Sequence, residues 1–207
     1  FCNAGFDILG TAENKYPSLT GYIGEPTINI AIMLLIIVGG IGFLTWDDIY
    51  TNKRHFKKYR MQSKVILVTT AILIIAPTVF FFFCDFTGLP LAERILASLF
   101  QSVTPRTAGF NTADLPAMTG SSKAIMILLM LVGGSPGSTA GGMKTTTLAV
   151  LILSAFSVCR KKDDAEVCGR RIDGSAVKNA AAVAVMYFLL FFVGGIVIST
   201  AEGLPLS

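Results

Sequence analysis

Charge is scarce in this chain. Asp, Glu, Lys and Arg make up 14% of its 207 residues, and 53% are hydrophobic, whereas a typical soluble domain is about one quarter charged. That balance excludes an ordinary water-borne globule and makes the bilayer the natural solvent. Histidine is scarcer still: His55 is the only one, and it sits inside a basic run as a solvated loop residue. No Ser/His/Asp or Cys/His arrangement can be assembled around it, so nothing calls for an enzyme. The four cysteines, Cys2, Cys84, Cys159 and Cys168, form no CxxC pair and neighbour no spaced histidine. They suggest neither a zinc site nor a disulfide framework. The chain opens on Phe1 without a basic, cleavable leader, as expected of an internal piece of a longer protein.

What is present is length without charge. The stretches 26–46, 65–84, 124–143 and 179–201 carry no charged residue, and each is about as long as the 20 or so apolar residues that cross a membrane. The net charge of +4 is unevenly placed. Six of the 17 Lys and Arg lie between Lys53 and Lys64, and six more between Arg160 and Lys178. A positive excess between apolar segments marks the cytoplasmic side. With both runs inside, the four stretches alternate in direction and the segment from Asp85 to Lys123 lies outside. Neither run has the interleaved aromatics or helix-turn-helix pattern of a nucleic-acid binder.

Within that outer segment, Ile95 to Val103 is apolar but reaches only about halfway across a bilayer at about 1.5 Å per residue. It reads as a half-helix that dips in and returns through Thr104-Pro105-Arg106-Thr107-Ala108-Gly109-Phe110-Asn111-Thr112. Non-helical backbone at that depth is tolerated only when buried in protein or lining a water-filled cavity. Pro105 stops the helix and Gly109 takes backbone angles closed to other residues, which lets the carbonyls of Thr107, Ala108 and Gly109 face an axis. Rings of carbonyls replace the hydration shell of a monovalent cation, and the negative end of the half-helix favours one there. No carboxylate ring suits a divalent ion. As a bare tetrapeptide Thr-Ala-Gly-Phe is an ordinary turn. Its depth, the half-length helix and a second copy at Asn3-Ala4-Gly5-Phe6-Asp7 favour a pore loop. Val38-Gly39-Gly40 likewise recurs as Val132-Gly133-Gly134, so the chain reads as repeated units of helix, half-helix with loop, and helix.

The other conspicuous segment is Gly133-Gly134-Ser135-Pro136-Gly137-Ser138-Thr139-Ala140-Gly141-Gly142-Met143-Lys144-Thr145. A straight helix from Ala124 to Val158 would run about 50 Å, more than a membrane needs. Five glycines and a proline in its middle break it. A glycine- and hydroxyl-rich coil at mid-membrane satisfies its own polar groups and occludes a water path, so it reads as a gate below the cation site. Lys144, the lone charge, is either a functional intramembrane cation or a side chain snorkelling to the interface. A phosphate-binding loop needs glycine directly before lysine, and Met143 intervenes.

These two motifs, in this order, resemble those of the Trk/Ktr/HKT superfamily of potassium transporters, and most closely its Ktr-type membrane subunit. The resemblance covers essentially the whole chain, with Gly39-Gly40-Ile41-Gly42-Phe43 similar to the end of a second repeat. It implies an all-α integral membrane protein of the bacterial plasma membrane, with four helix–pore loop–helix repeats around one potassium path. On that plan residues 1–46 end the second repeat, 47–63 are a cytoplasmic loop and 64–158 are the third repeat. Residues 159–178 form a second cytoplasmic loop and 179–207 open the fourth repeat. The filter residues are then Asn3, Ala4, Gly5, Thr107, Ala108 and Gly109, and the gate is Gly133 to Gly142 with Lys144. The resemblance further implies sodium dependence, no cofactor, a homodimer in membrane lipid and a cytosolic nucleotide-binding regulatory ring. Filters from the first and fourth repeats are absent from the sequence. The competing reading is a non-transporting membrane scaffold or enzyme subunit whose broken helix binds a ligand.

Overall fold

The computed structural model describes residues 5, 10, 18–161, 166–167 and 170–202. They form seven α-helices: α1 (Pro26–Ile41), α2 (Phe43–Asn52), α3 (Met61–Cys84), α4 (Leu91–Val103), α5 (Gly120–Leu131), α6 (Thr145–Cys159) and α7 (Gly174–Glu202). The expected all-helical fold holds apart from one antiparallel hairpin of two-residue strands, Glu166–Val167 with Arg170–Arg171. The chain divides into two units, residues 1–146 and 147–207.

In the first unit α3 has the length and apolarity to cross a membrane. Its residues Val68, Ile72, Ile75, Val79 and Phe83 are exposed. Their three- and four-residue spacing draws one apolar stripe along the helix, the surface a lipid-facing helix presents. Pro77 sits inside α3 on the buried side, where its missing N–H leaves a carbonyl one turn earlier without its helical partner.

Helix α4 is the half-helix foreseen around Ile95. It starts four residues earlier, at Leu91, because Pro90 supplies an extended residue just before the first turn. Its 13 residues measure about 20 Å, short of a crossing. From Ala97 its side chains bury on two sides. Ala97 joins Phe81, Met126 and Leu129 in one apolar cluster, while Phe100 and Val103 join Met33, Ile36 and Ala108 in another. Ser102 Oγ shares a hydrogen bond with Thr78 Oγ1 of α3 (2.7 Å). At the outer end Arg94 donates from Nε and Nη2 to the Phe82 carbonyl, with its guanidinium 4.1 Å from the Phe82 ring centre. This occupies one of the carbonyls left free at the end of α3. The N-terminus of α5 is tied down by Asp85, which accepts from Thr119 N (2.9 Å) and from Ser122 Oγ.

The charge-free stretch 26–46 is not one straight span. It breaks at Gly42, and α2 leaves α1 at 98°. Gly42 has φ +89°, and a Cβ there would lie 2.6 Å from the Pro136 carbonyl oxygen. A tertiary contact fixes this break, and it is invisible in hydropathy. The stretch 124–143 is interrupted as its glycines foretold: α5 stops at Leu131, and regular helix resumes at Thr145.

In the second unit α7 is long and apolar enough to cross a membrane, and its large apolar side chains are exposed on every side. A helix apolar all round belongs in lipid or a larger core. Asp173 opens it, accepting from Ser175 N and Oγ (3.3 and 2.7 Å), and the Ser175 side chain holds its carboxyl below the usual range.

Candidate functional site: two glycine loops and a pinned coil

The chain after α4 turns sharply. Ala108 N donates to Thr104 O (3.1 Å) and Thr107 N to Pro105 O (2.8 Å), and Thr104 Oγ1 donates to the Phe110 carbonyl. Thr107 (φ +66°) and Gly109 (φ +81°) both adopt left-handed backbone, which is costly for threonine and free for glycine. The return strand is held by Leu19 N donating to Asn111 O and by Asn111 N donating to Ser18 Oγ, each 2.8 Å.

The structure brings Gly5 of the first expected loop against the second. Gly5 also has positive φ, +64°. A Cβ on Gly5 would overlap the Ala108 carbonyl oxygen and approach the Gly109 Cα to 2.9 Å, and one on Gly109 would lie 3.3 Å from the Gly5 Cα. Backbone therefore faces backbone, with no room for a side chain on Gly5 and only a tight fit for one on Gly109. Asn3 and Ala4 lie outside the described residues. Beside the junction opens a cavity of about 650 Å³ lined in part by Thr104, Thr107, Gly109, Asn111 and Asp114. Thr107 Oγ1, on the cavity wall, and Thr112 Oγ1, in the segment that follows, are buried with no hydrogen-bond partner among the described residues. Arg106 is also buried and its Nε is likewise unpartnered.

Residues 133–142 form a loop closed at its base. Val132 and Met143 pair as a parallel bridge, Gly133 N donates to Met143 O (2.9 Å), and Met143 N donates to Leu131 O (3.2 Å). A Cβ on Gly133 would overlap the Gly141 carbonyl, so glycine is required for this closure. Ser135 Oγ lies 3.2 Å from Thr145 Oγ1, both fully buried. Lys144 Nζ donates to Ala140 O (2.8 Å), so this cation serves the loop's own backbone.

Hydropathy could not show what the loop grips. The last four carbonyls of any helix lack intrahelical partners. In α1 three of them are capped: Val38 O by Trp46 Nε1 (3.0 Å), Gly39 O by Thr139 N (3.3 Å) and Oγ1 (3.2 Å), and Gly40 O by Ser135 N (2.9 Å). In return Phe43 N donates to Gly137 O (3.1 Å). Gly39, Gly40 and Gly42 thus belong to the candidate gate. In the sequence Gly39 and Gly40 showed as the repeated Val-Gly-Gly, and all three as part of the Gly39–Phe43 motif, but neither signal placed them against residues 133–142.

No group of acidic, histidine or cysteine side chains suited to a resident metal occurs among the described residues. The arrangement offers a cation backbone carbonyls and hydroxyls, the ligands that suit a partly dehydrated monovalent ion.

Known proteins resemble this chain along nearly its whole length. A family model described as TrkH, cation transport protein, matches residues 1–207. The chain is 38% identical over 210 residues to the potassium/sodium uptake protein NtpJ of Enterococcus hirae, covering 99% of this chain and 45% of that one. It is 34% identical to the Ktr system potassium uptake protein B of Bacillus subtilis, covering 99% and 46%. Its fold superposes on the potassium transporter TrkH from Vibrio parahaemolyticus with TM-score 0.75 at 20% identity, over 96% of this chain and 43% of that one. The chain spans under half the length of these relatives. With a family model matched from end to end, the chain belongs to the TrkH family of cation transport proteins.

Proposed function

We propose that this chain supplies two filter loops and the gate of a potassium uptake path across a bacterial plasma membrane. The observation that carries this reading is the contact of Gly5 with Ala108 and Gly109. Two segments of like sequence each carry a glycine at positive φ, and Gly5 meets the Ala108–Gly109 backbone. Carbonyls of Asn3, Ala4, Gly5, Thr107, Ala108 and Gly109 would take the place of water around a dehydrated K⁺. The C-terminal end of α4 adds a favourable partial negative charge. Side chains at Gly5 or Gly109 would fill the path.

The loop 133–142 is the gate. Four hydrogen bonds tie it to the end of α1 and start of α2. At about 0.5–1.5 kcal/mol net each, they hold it with about 2–6 kcal/mol, within reach of a ligand-driven population shift. Residues 1–46, 64–158 and 179–207 belong to successive helix–loop–helix repeats, joined by cytoplasmic loops 47–63 and 159–178 whose basic residues set the orientation. The names of the relatives, which specify potassium or potassium/sodium uptake, support K⁺ as the cargo, and sodium dependence is part of the proposal. A homodimer with a cytosolic nucleotide-binding ring completes the proposal.

The test is growth and ⁸⁶Rb⁺ uptake by potassium-uptake-deficient cells expressing the full-length protein. Uptake that is stimulated by Na⁺ supports the reading; a correctly inserted protein that carries no Rb⁺ or K⁺ contradicts it.

A further inference from the structure

Helix α2 buries two polar residues and exposes three aromatic ones, with Asp47 also exposed. Its polar residues Thr45 (1% exposed) and Asp48 (3%) turn toward the protein, while Phe43 (67%) and Tyr50 (86%) turn away, with exposed Trp46 between them. Positions 43, 46 and 50 share one helix face. The 98° turn at Gly42 means that if α1 runs along the bilayer normal, α2 lies parallel to the membrane plane, and its basic continuation sets it near the interface. Aromatic side chains favour that interfacial depth.

The chain that follows adds charge. Arg60 pairs with Asp47 (3.3 Å) and Asp48 (3.5 Å), so the two aspartates of α2 are already matched. Asp48 also accepts from Ser63 Oγ (2.5 Å) and Arg60 N (3.1 Å), and Tyr59 Oη donates to Lys53 O (2.5 Å). These bonds fix the loop's shape. Lys53, Arg54, Lys57 and Lys58 stay exposed, and no ion-pair partner faces them among the described residues. Four unmatched cations therefore lie next to an outward aromatic face.

We propose that α2 and residues 53–58 form a binding site for anionic phospholipid, with acyl chains against Phe43 and Trp46 and phosphates on the four cations. Charge complementarity selects anionic over zwitterionic headgroups, by about fivefold in affinity per basic residue at the surface. The site is wired to the candidate gate. Phe43 N holds Gly137 O (3.1 Å), and an apolar cavity of about 290 Å³ lined by Gly42, Phe43, Trp46, Gly137 and Thr139 lies between them. Lipid on α2 thus biases the loop, a consequence that rests on the gate reading; the lipid site itself does not.

The test uses the full-length protein in phosphatidylcholine vesicles carrying either brominated phosphatidylglycerol or brominated phosphatidylcholine. Trp46 emission is isolated by subtracting the Trp46→Phe variant. Quenching should appear with both lipids, and half-quenching should need a severalfold lower fraction of the anionic one. Lys57→Gln with Lys58→Gln should abolish most of that preference, bringing the two lipids close to equal. Because quenching is read without flux, its outcome is separable from failure of the transport reading. Equal quenching by the two lipids overturns the proposal. So does quenching by neither, which would mean that protein, from the rest of the chain or a second copy, covers Trp46.

Discussion

Gly133 and Gly141 close the base of the 133–142 loop so tightly that a methyl group on Gly133 would overlap the carbonyl oxygen of Gly141. The reverse does not hold, because a Cβ on Gly141 would meet nothing within 4 Å. Gly133→Ala should therefore destabilise the full-length protein by about 1–3 kcal/mol and loosen the loop, while Gly141→Ala should be close to silent. Thermal unfolding in detergent checks the pair, and equal shifts would show that the base is not closed as described.

The same loop caps α1 through Gly39 O and Gly40 O. Deleting residues 135–141 removes those caps together with the obstruction. Passive Rb⁺ leak through reconstituted protein should rise about tenfold or more if the loop holds the path shut with about 2–6 kcal/mol. Leak at or below that of the parent protein would remove the gating role and leave the filter reading intact.

Asp47 and Asp48 are neighbours with opposite surroundings. Asp48 is buried and accepts from Ser63 Oγ and Arg60 N, whereas Asp47 is exposed and touches only Arg60. Asp48→Ala strands the Ser63 Oγ and Arg60 N donors, removes an ion pair with the Arg60 side chain, and should cost about 1–3 kcal/mol. Asp47→Ala, losing one surface ion pair, should cost about 0–1 kcal/mol. Denaturation midpoints of the two variants measured side by side provide the check.

Much of this architecture was legible in the residues. The charge-free run 65–84 fixes α3, the glycine-proline cluster after Leu131 interrupts the helix where the structure does, and the short apolar run before Pro105 marks α4. These signals are local: a helix reports itself through composition and breakers within a few residues. Gly42 was misjudged because the 98° turn there is set by Pro136 and Gly137, nearly a hundred residues away. The docking of Thr139 on Gly39 was hidden for the same reason. Hydrogen bonds between backbone groups leave no side-chain pattern to read. Arg106 was passed over as part of the filter motif, and its burial without a partner for Nε appears only in three dimensions. The pairing of Gly5 with Gly109 was half visible, since the repeated Ala-Gly-Phe announced two similar loops but not their contact.

That contact is the centre of the account. Gly109 has φ +81° and stands against the Gly5 backbone, so a side chain there adds strain of about 1–2 kcal/mol at the proposed filter. The most direct measurement is K⁺ against Na⁺ flux through the full-length protein in proteoliposomes, parent beside Gly109→Ser. The account predicts that the variant still inserts but loses K⁺ preference by about tenfold. Undiminished K⁺/Na⁺ discrimination in a folded Gly109→Ser protein would contradict it.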